Sequence, residues 1–466
     1  MFTELPERIA PDLAEGHHGW VERSLGSLSA EPVRNGVGES AQSYNPKWPR
    51  YVRITDIAGR AALKSSTAAS LPPEIAASAL LRKGDLLIAA VGATFGKSYL
   101  HVDDSQEACY AGFLVRVSPN REITPDFLSY WAMSDHYWNQ VSRNVIQSTI
   151  QNFSAARVKR LRVLVPPADE QAAIVKYLGH AHARVDGAIA AKRKLIALLD
   201  EQKLAIVHHA VTRGLDPSAP LKDSGIPWLG QIPATWGVRR AKYLFKEFDI
   251  RSGTGEERLL SLRALAGLVF HDEVSTRLIG PEVLSKYKKV SRGQLVMNRM
   301  RAASGLFAVA TAEGLVSPDY STMEVSDAIE ASYFLRLFKT RAAMSEFRRR
   351  STGLGTGESG FMRLYSDEFG RMPLPLPPLA DQRAIAQYVG ELERDGNAIA
   401  IRTFKEIELL REFRTRLTSD VVTGQVDVRE IAATLPELTD DSHGAGDDLS
   451  DEDDELDVLD LEGADD

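Results

Sequence analysis

Residues 89–100 read "AAVGATFGKSYL", an apolar run followed by glycines and a Gly-Lys-Ser triplet. These are the residue types of a phosphate cradle. Such a loop needs Gly, four residues, then Gly-Lys-Ser/Thr, and it must open a helix whose first N–H groups hold the anion. Here only three residues separate Gly92 from Gly96, Val91 stands where the first glycine belongs, and "YLHVDD" follows with strand character. The stretch therefore predicts a glycine-rich corner between two strands. No other chemistry-bearing group reaches a working constellation. His17-His18, His180/His182 and His208-His209 lack further ligands, and there is no HExxH. The single cysteine, Cys109, excludes an intrachain disulfide framework and a multi-cysteine zinc site. "NPKW" (45–48) is the nearest approach to an Asn-Pro-Pro-Tyr-like methylation motif, and it reads as a turn before a strand. The expectation is a chain with no catalytic residues and no metal site.

The elements that would carry any other function come from an internal repeat. "PPADEQAAIVKYLG" (166–179) aligns with "PPLADQRAIAQYVG" (377–390) at an offset of 211, and the match runs ungapped over 51 positions, 15 of them identical. The identities include Gln171/Gln382, Ile174/Ile385, Tyr177/Tyr388, Gly179/Gly390, Leu199/Leu410 and Thr212/Thr423. Upstream, "RKGDLLIAAVGATFG" (82–96) parallels "SRGQLVMNRMRAASG" (291–305) at an offset of 209, which sets Gly96 on Gly305 and Lys97 on Leu306. A corner between strands explains both copies; a nucleotide site explains neither.

Each copy begins with a mixed region. "YVRITDIAG", "DLLIAAVG" and "GFLVRVSP" read as strands, and 124–143 and 331–350 each read as a helix. Trp20 and Trp236 open the two copies as expected core anchors. Each copy then ends in a helix that starts after Pro-Pro and acids (Asp169, Glu170, Asp381), which suit a positive helix N-terminus. Apolar or small residues recur at steps of three and four from Ile174 to Ala210 and from Ile385 to Val421, the seam of a coiled coil. Polar exceptions interrupt it, and Ile196 and Ile407 carry the seam past one of them. Gly179 and Gly390 are expected to interrupt each helix, leaving about 45 Å of rod at ~1.5 Å per residue. Gly214 and Pro217 should stop the first helix. The fold class expected is mixed α/β (α+β), with two globular domains separated by two long antiparallel coiled-coil helices and an internal pseudo-twofold repeat. The boundaries expected are 1–165, first domain; 166–216, first helix; 217–235, linker; 236–376, second domain; 377–430, second helix; and 431–466, an acidic tail.

Composition bounds the partners. The net charge of −8 is set by residues 437–466, which hold 15 Asp or Glu and no Lys or Arg; without them the body carries about +7. The tail is disordered by composition. A basic body permits nucleic-acid binding. No apolar run approaches the ~20 residues of a membrane span, and the N-terminus lacks a secretory pattern, so a cytoplasmic protein is expected.

Two diverged heads on a rigid spacer suit a two-part linear target with unlike halves. A spacer of ~45 Å corresponds to about 13 base pairs at ~3.4 Å per step. "RLRVLVPPADEQAAIVKYLG", "AVTRGLDPSAPLKDSGIPWLGQIPATWGVRR" and "RMPLPLPPLADQRAIAQYVG" resemble the specificity subunit of type I restriction-modification enzymes, over about residues 15–430. That resemblance implies two target recognition domains, each reading one half of a split double-stranded DNA sequence. It implies a helical spacer that docks the modification (methyltransferase) subunits. Methylation of adenine with S-adenosylmethionine, and ATP- and Mg-dependent cleavage by a motor-nuclease subunit, would lie in the partners, with no cofactor in this chain.

Phosphate and base contacts need Lys, Arg and small polar donors. The candidates are Thr94 and Lys97 at the first corner and Asn298, Arg299 and Arg301 at the second. Alternation would put Arg299 and Arg301 on one face. Gln147, Ser148 and Thr149 in the first copy, and Arg348, Arg349 and Arg350 in the second, precede the proline exits in matching places. Two alternatives stand beside this reading: a scaffold or decoy that binds the methyltransferase without reading DNA, and a nucleotide-dependent enzyme using loop 92–98.

Overall fold

A computed structural model describes residues 19–41, 43–92, 94–145, 153–264, 266–354 and 361–438. They form two compact units, residues 19–193 with 403–438 and residues 194–402. Helices and strands are mixed, and two long helices are present, as the repeat predicted.

In the first unit, Arg34–Asn35, Leu114–Val117, Leu86–Ala89 and Ser98–Leu100 form a four-stranded sheet in that order, all antiparallel. The two central strands are buried along their whole length. Alternation splits their side chains between two cores. Leu86, Ile88, Val115 and Val117 join one with the helices Pro125–Trp131 and Asp135–Val145, whereas Leu87, Ala89 and Leu114 join another with Val52 and Tyr99. A separate strand, Val21–Ser24, pairs with Arg162–Val165 just before the first Pro-Pro.

The second unit repeats the plan. Phe245–Phe248, Tyr320–Val325, Leu295–Asn298 and Phe307–Val309 form the antiparallel sheet, and Gly237–Arg240 pairs with Pro373–Leu376 before the second Pro-Pro. Leu295 and Met297 face the core that holds Phe334, Phe338, Phe347 and Phe369; Val296 faces the other with Leu260 and Val316. Trp236 is buried in the larger core, and Trp20 packs partly buried against its counterpart.

Each single helix expected in the mixed regions is in fact two. The first pair breaks before Asp135, and the second is Ala331–Phe338 followed by Arg341–Arg350. A hydroxyl makes each break. Ser134 Oγ donates to Trp131 O (2.7 Å) and accepts from Tyr137 N (3.3 Å); Thr340 Oγ1 donates to Leu337 O (2.7 Å) and accepts from Ala343 N (3.3 Å). A side-chain oxygen that takes an orphan N–H starts a new helix more cheaply than it continues the old one.

The long helices, Ala168–Arg213 and Leu379–Val422, run without interruption, against the expectation at their glycines. Glycine costs a helix interior only about 1 kcal/mol, and here it makes room. A Cβ on Gly179 would stand 2.7 Å from Leu438 Cδ1, and one on Gly390 3.2 Å from Arg336 Nη2. Gly214, at φ +80°, follows the end of the first helix as expected.

The helix pairing is antiparallel in each unit. In the first, His182 meets Thr418 (2.8 Å), Asp186 meets Arg414 (2.7 Å) and Lys192 meets Glu406 (2.5 Å), so one partner number falls as the other rises. In the second, Gly396 lies against the Lys203 stem, the repeat counterparts of Val185 and Arg414. The seam is followed with two departures: Leu195 and Ile399 are 47% and 45% exposed, while Ile407 is buried in their place.

Candidate nucleic-acid interface

Each mixed region is tied to its long helix by a buried glutamine in the helix's first turn. Gln171 Oε1 accepts from the backbone N–H of Thr124 (2.8 Å), and its Nε2 donates to Glu122 O and Pro166 O (both 2.9 Å). Gln382 Oε1 accepts from Glu330 N–H (2.8 Å), and its Nε2 donates to Pro377 O (2.8 Å). Thr124 and Glu330 are the residues that start Pro125–Trp131 and Ala331–Phe338. The repeat thus places the same amide clamp at the root of both heads.

At the other end of each sheet are the glycine corners. Leu86–Ala89 returns as Ser98–Leu100, with Leu86 opposite Leu100 and Ile88 opposite Ser98. Leu295–Asn298 returns as Phe307–Val309. Gly96 and Gly305 both adopt left-handed backbone, φ +81° and +72°. The strand–corner–strand reading of "AAVGATFGKSYL" holds, and no helix follows the glycines to hold a phosphate. "NPKW" likewise forms a turn, with Trp48 N–H on Asn45 O at 3.1 Å.

The candidate residues fare differently. Thr94 is exposed on its corner. Lys97 Nζ donates to Ile57 O (3.1 Å), within its own head. Gln147, Ser148 and Thr149 lie outside the described residues. Asn298 is 8% exposed and spends its Oδ1 on the N–H groups of Met300 (3.0 Å) and Arg301 (3.2 Å), which shapes the corner rather than facing outward. Arg299 donates to Asp319 O (2.6 Å) and Pro318 O (2.9 Å). The shared face expected for Arg299 and Arg301 does not form, because the strand ends at Asn298 and Arg301 begins the short turn Ala302–Ser304. Arg301 and Arg348 are exposed. Arg349 and Arg350 both reach back to Glu346, at 2.7 and 2.6 Å. These bonds hold the Glu346 carboxyl below the usual range, Arg349's being the larger cause.

The strand register shows what one-dimensional alignment missed. Ala89 faces Leu114, and Asn298 faces Tyr320. One residue further along, Ala90 N–H donates to Phe113 O (2.8 Å) and Ala90 O accepts from Phe153 N–H (2.7 Å). In the second head, Arg299 O accepts from Leu364 N–H (2.9 Å), and the Arg299 side chain takes Asp319 O. Ala90, Phe113 and Phe153 are therefore the counterparts of Arg299, Asp319 and Leu364. The two tips share a backbone and differ in chemistry. The first presents Phe113, 64% exposed. The second presents an ionic cluster, Asp319 with Arg299 (3.8 Å) and Arg363 (3.4 Å). Among the described residues no group of acidic, histidine or cysteine side chains is arranged to hold a metal, and no helix is long and apolar enough to cross a membrane.

A repeated mixed head clamped to the start of a long helix, with a polar or aromatic tip at the far end of its sheet, defines a class of duplicated two-head protein. Residues 51–193 match the family model of the Type I restriction modification DNA specificity domain. The chain is 23% identical, over 368 residues, to a putative type I restriction enzyme MjaX specificity subunit of Methanocaldococcus jannaschii, covering 74% of this chain and 79% of that protein. Its fold is similar to the HsdS subunit of Thermoanaerobacter tengcongensis, with a TM-score of 0.51 at 18% identity, covering 88% of this chain and 97% of that one. It is also similar to a chain in a structure described as the basis of complex assembly and conformational transition of the type I R-M system, with a TM-score of 0.65 at 16% identity, over 88% and 98% of the two chains. The chain is thus similar to type I restriction-modification specificity subunits, in a specificity domain over residues 51–193 and in fold over most of its length.

Proposed function

We propose that this chain is the DNA-reading subunit of a type I restriction-modification complex, recognising a bipartite, asymmetric sequence in double-stranded DNA. The observation that carries the reading is the pair of equivalent tips. Identical supports with unlike chemistry at their ends suit a target whose two halves differ. The domain boundaries follow the repeat: recognition domains at 1–165 and 236–376, spacer helices at 166–216 and 377–430, linker 217–235 and tail 431–466. The chain itself carries no catalytic residue or cofactor in this reading. Adenine methylation with S-adenosylmethionine belongs to modification subunits, and ATP- and Mg-dependent cleavage to a restriction subunit, in the cytoplasm. The long helices offer such partners exposed apolar side chains, Leu409 and Phe413 in the first unit and Leu198, Leu204 and Ile401 in the second. Thr94, Arg301, Arg348 and Arg349 are the candidates exposed to solvent and so open to DNA. Lys97, Asn298, Arg299 and Arg350 serve first to shape the heads.

The test is a methylome. The chain is co-expressed with its modification subunit in a host that lacks adenine methylation, and modified adenines are mapped. One split motif, two unlike halves around a fixed gap, is the expected result. A stable complex that methylates nothing would instead favour a scaffold that does not read DNA.

A further inference from the structure

Phe113 stands exposed at the tip of the first head. It is 64% exposed, although the strand it precedes, Leu114–Val117, is buried throughout. The backbone fixes it there. Its carbonyl takes Ala90 N–H, and the adjacent Gly112 is held by two bonds, its N–H donating to Val37 O (2.6 Å) and its O accepting from Asn35 Nδ2 (2.9 Å). A side chain at Gly112 would crowd the opposing backbone, since a Cβ would stand 3.3 Å from Gly38 Cα. Three chain segments meet at this point: the corner that carries Thr94, the segment that resumes at Phe153, and the exposed Arg34–Asn35 edge. In the second head the same backbone position holds Asp319 among arginines.

Resting on the function proposed above, we infer that Phe113 is a base-reading residue of the first half-site, and that it takes the 5-methyl group of a thymine. An exposed aromatic ring has no charge to offer a phosphate. The apolar feature that base edges display in the major groove is the thymine methyl, and Phe is among the side chains suited to it.

The test uses the full chain in complex with its modification subunit and a pool of random-sequence duplexes. Wild-type complex enriches a two-part consensus with a thymine in one half. Phe113→Ala loses the preference at that one position, and its affinity for the wild-type consensus falls roughly tenfold or more, while the other half and the melting temperature are unchanged. Replacing that thymine with deoxyuridine weakens the wild type about fourfold, the worth of one buried methyl, and leaves Phe113→Ala unaffected. Phe113→Leu retains the preference in part. An unchanged consensus and affinity for Phe113→Ala overturns the assignment, as does an equal response of wild type and variant to deoxyuridine, or a defect confined to assembly with the modification subunit. If the wild type enriches no two-part consensus at all, the proposed function falls first and takes this inference with it.

Discussion

At the scale of single residues, the buried polar groups decide how the heads are held. Glu346 is 5% exposed and gathers Arg349 and Arg350. Arg349 makes the stronger bond but is largely solvated and so screened, while Arg350, 18% exposed, adds a second bond from a drier position. Glu346→Gln should cost roughly 1–2 kcal/mol, read as a lower urea midpoint at neutral pH. Because the Glu346 pKa is lowered on folding, that difference is present above pH ~4.5 and is lost as the pH falls through the folded value. His182 has the opposite chemistry. Burial first, then Arg414 and Arg60, push its imidazole down to about 3, and its Nε2 lies 2.8 Å from Thr418 Oγ1. The unfolded chain therefore binds a proton that the folded one refuses. Stability should fall on acidification from pH ~6.5 toward 3, by up to ~1.4 kcal/mol per unit. His182→Gln, which can still bond Thr418, should flatten that part of the profile of unfolding midpoint against pH.

At the scale of elements, the amide clamps and the hydroxyl breaks recur at matching places in both units. Gln171→Ala would strand the Thr124 N–H and two carbonyls in a partly buried joint, at a cost of about 1–3 kcal/mol. Hydrogen exchange should then rise in Pro125–Trp131 and not in Ala331–Phe338; Gln382→Ala should do the reverse. Equal loosening of both helices in either variant would contradict a local joint. The repeat, the glycine corners and the helix starts were legible in the sequence, because each depends on local spacing of Pro, Gly and apolar residues. The helix breaks at Ser134 and Thr340 were not, since a capping hydroxyl inside a helical pattern is distinguished only by the bonds it makes. Nor were the tips: Phe113 and Asp319 become counterparts through strand register, whereas sequence offsets shift from 209 to 206 between the two strands concerned. Of the arginines picked for DNA, Arg299 finds its acceptors, Asp319 O and Pro318 O, only through the strand register, whereas the pairing of Arg349 and Arg350 with Glu346 was legible as a three- and four-residue helical spacing.

At the scale of the whole molecule, charge is divided along the chain. Residues 439–466 hold 14 Asp or Glu and no Lys or Arg, so a chain ending at Leu438 changes from −8 to about +6. Removing them should raise affinity for random duplex at 50 mM salt, and the gain should shrink by 200 mM, as fluorescence anisotropy would record. An unchanged affinity would mean that the tail does not compete with DNA. The clamps have a consequence for how such a molecule can change over generations. Every hydrogen bond that Gln171 and Gln382 make with the heads goes to a main-chain atom. Such a fitting is indifferent to the side chains of what it holds. The exposed surface of a head can therefore drift freely, while only the few side chains that pack on the rod, such as Tyr130 on His182 and Arg336 on Glu393, must change in step with it.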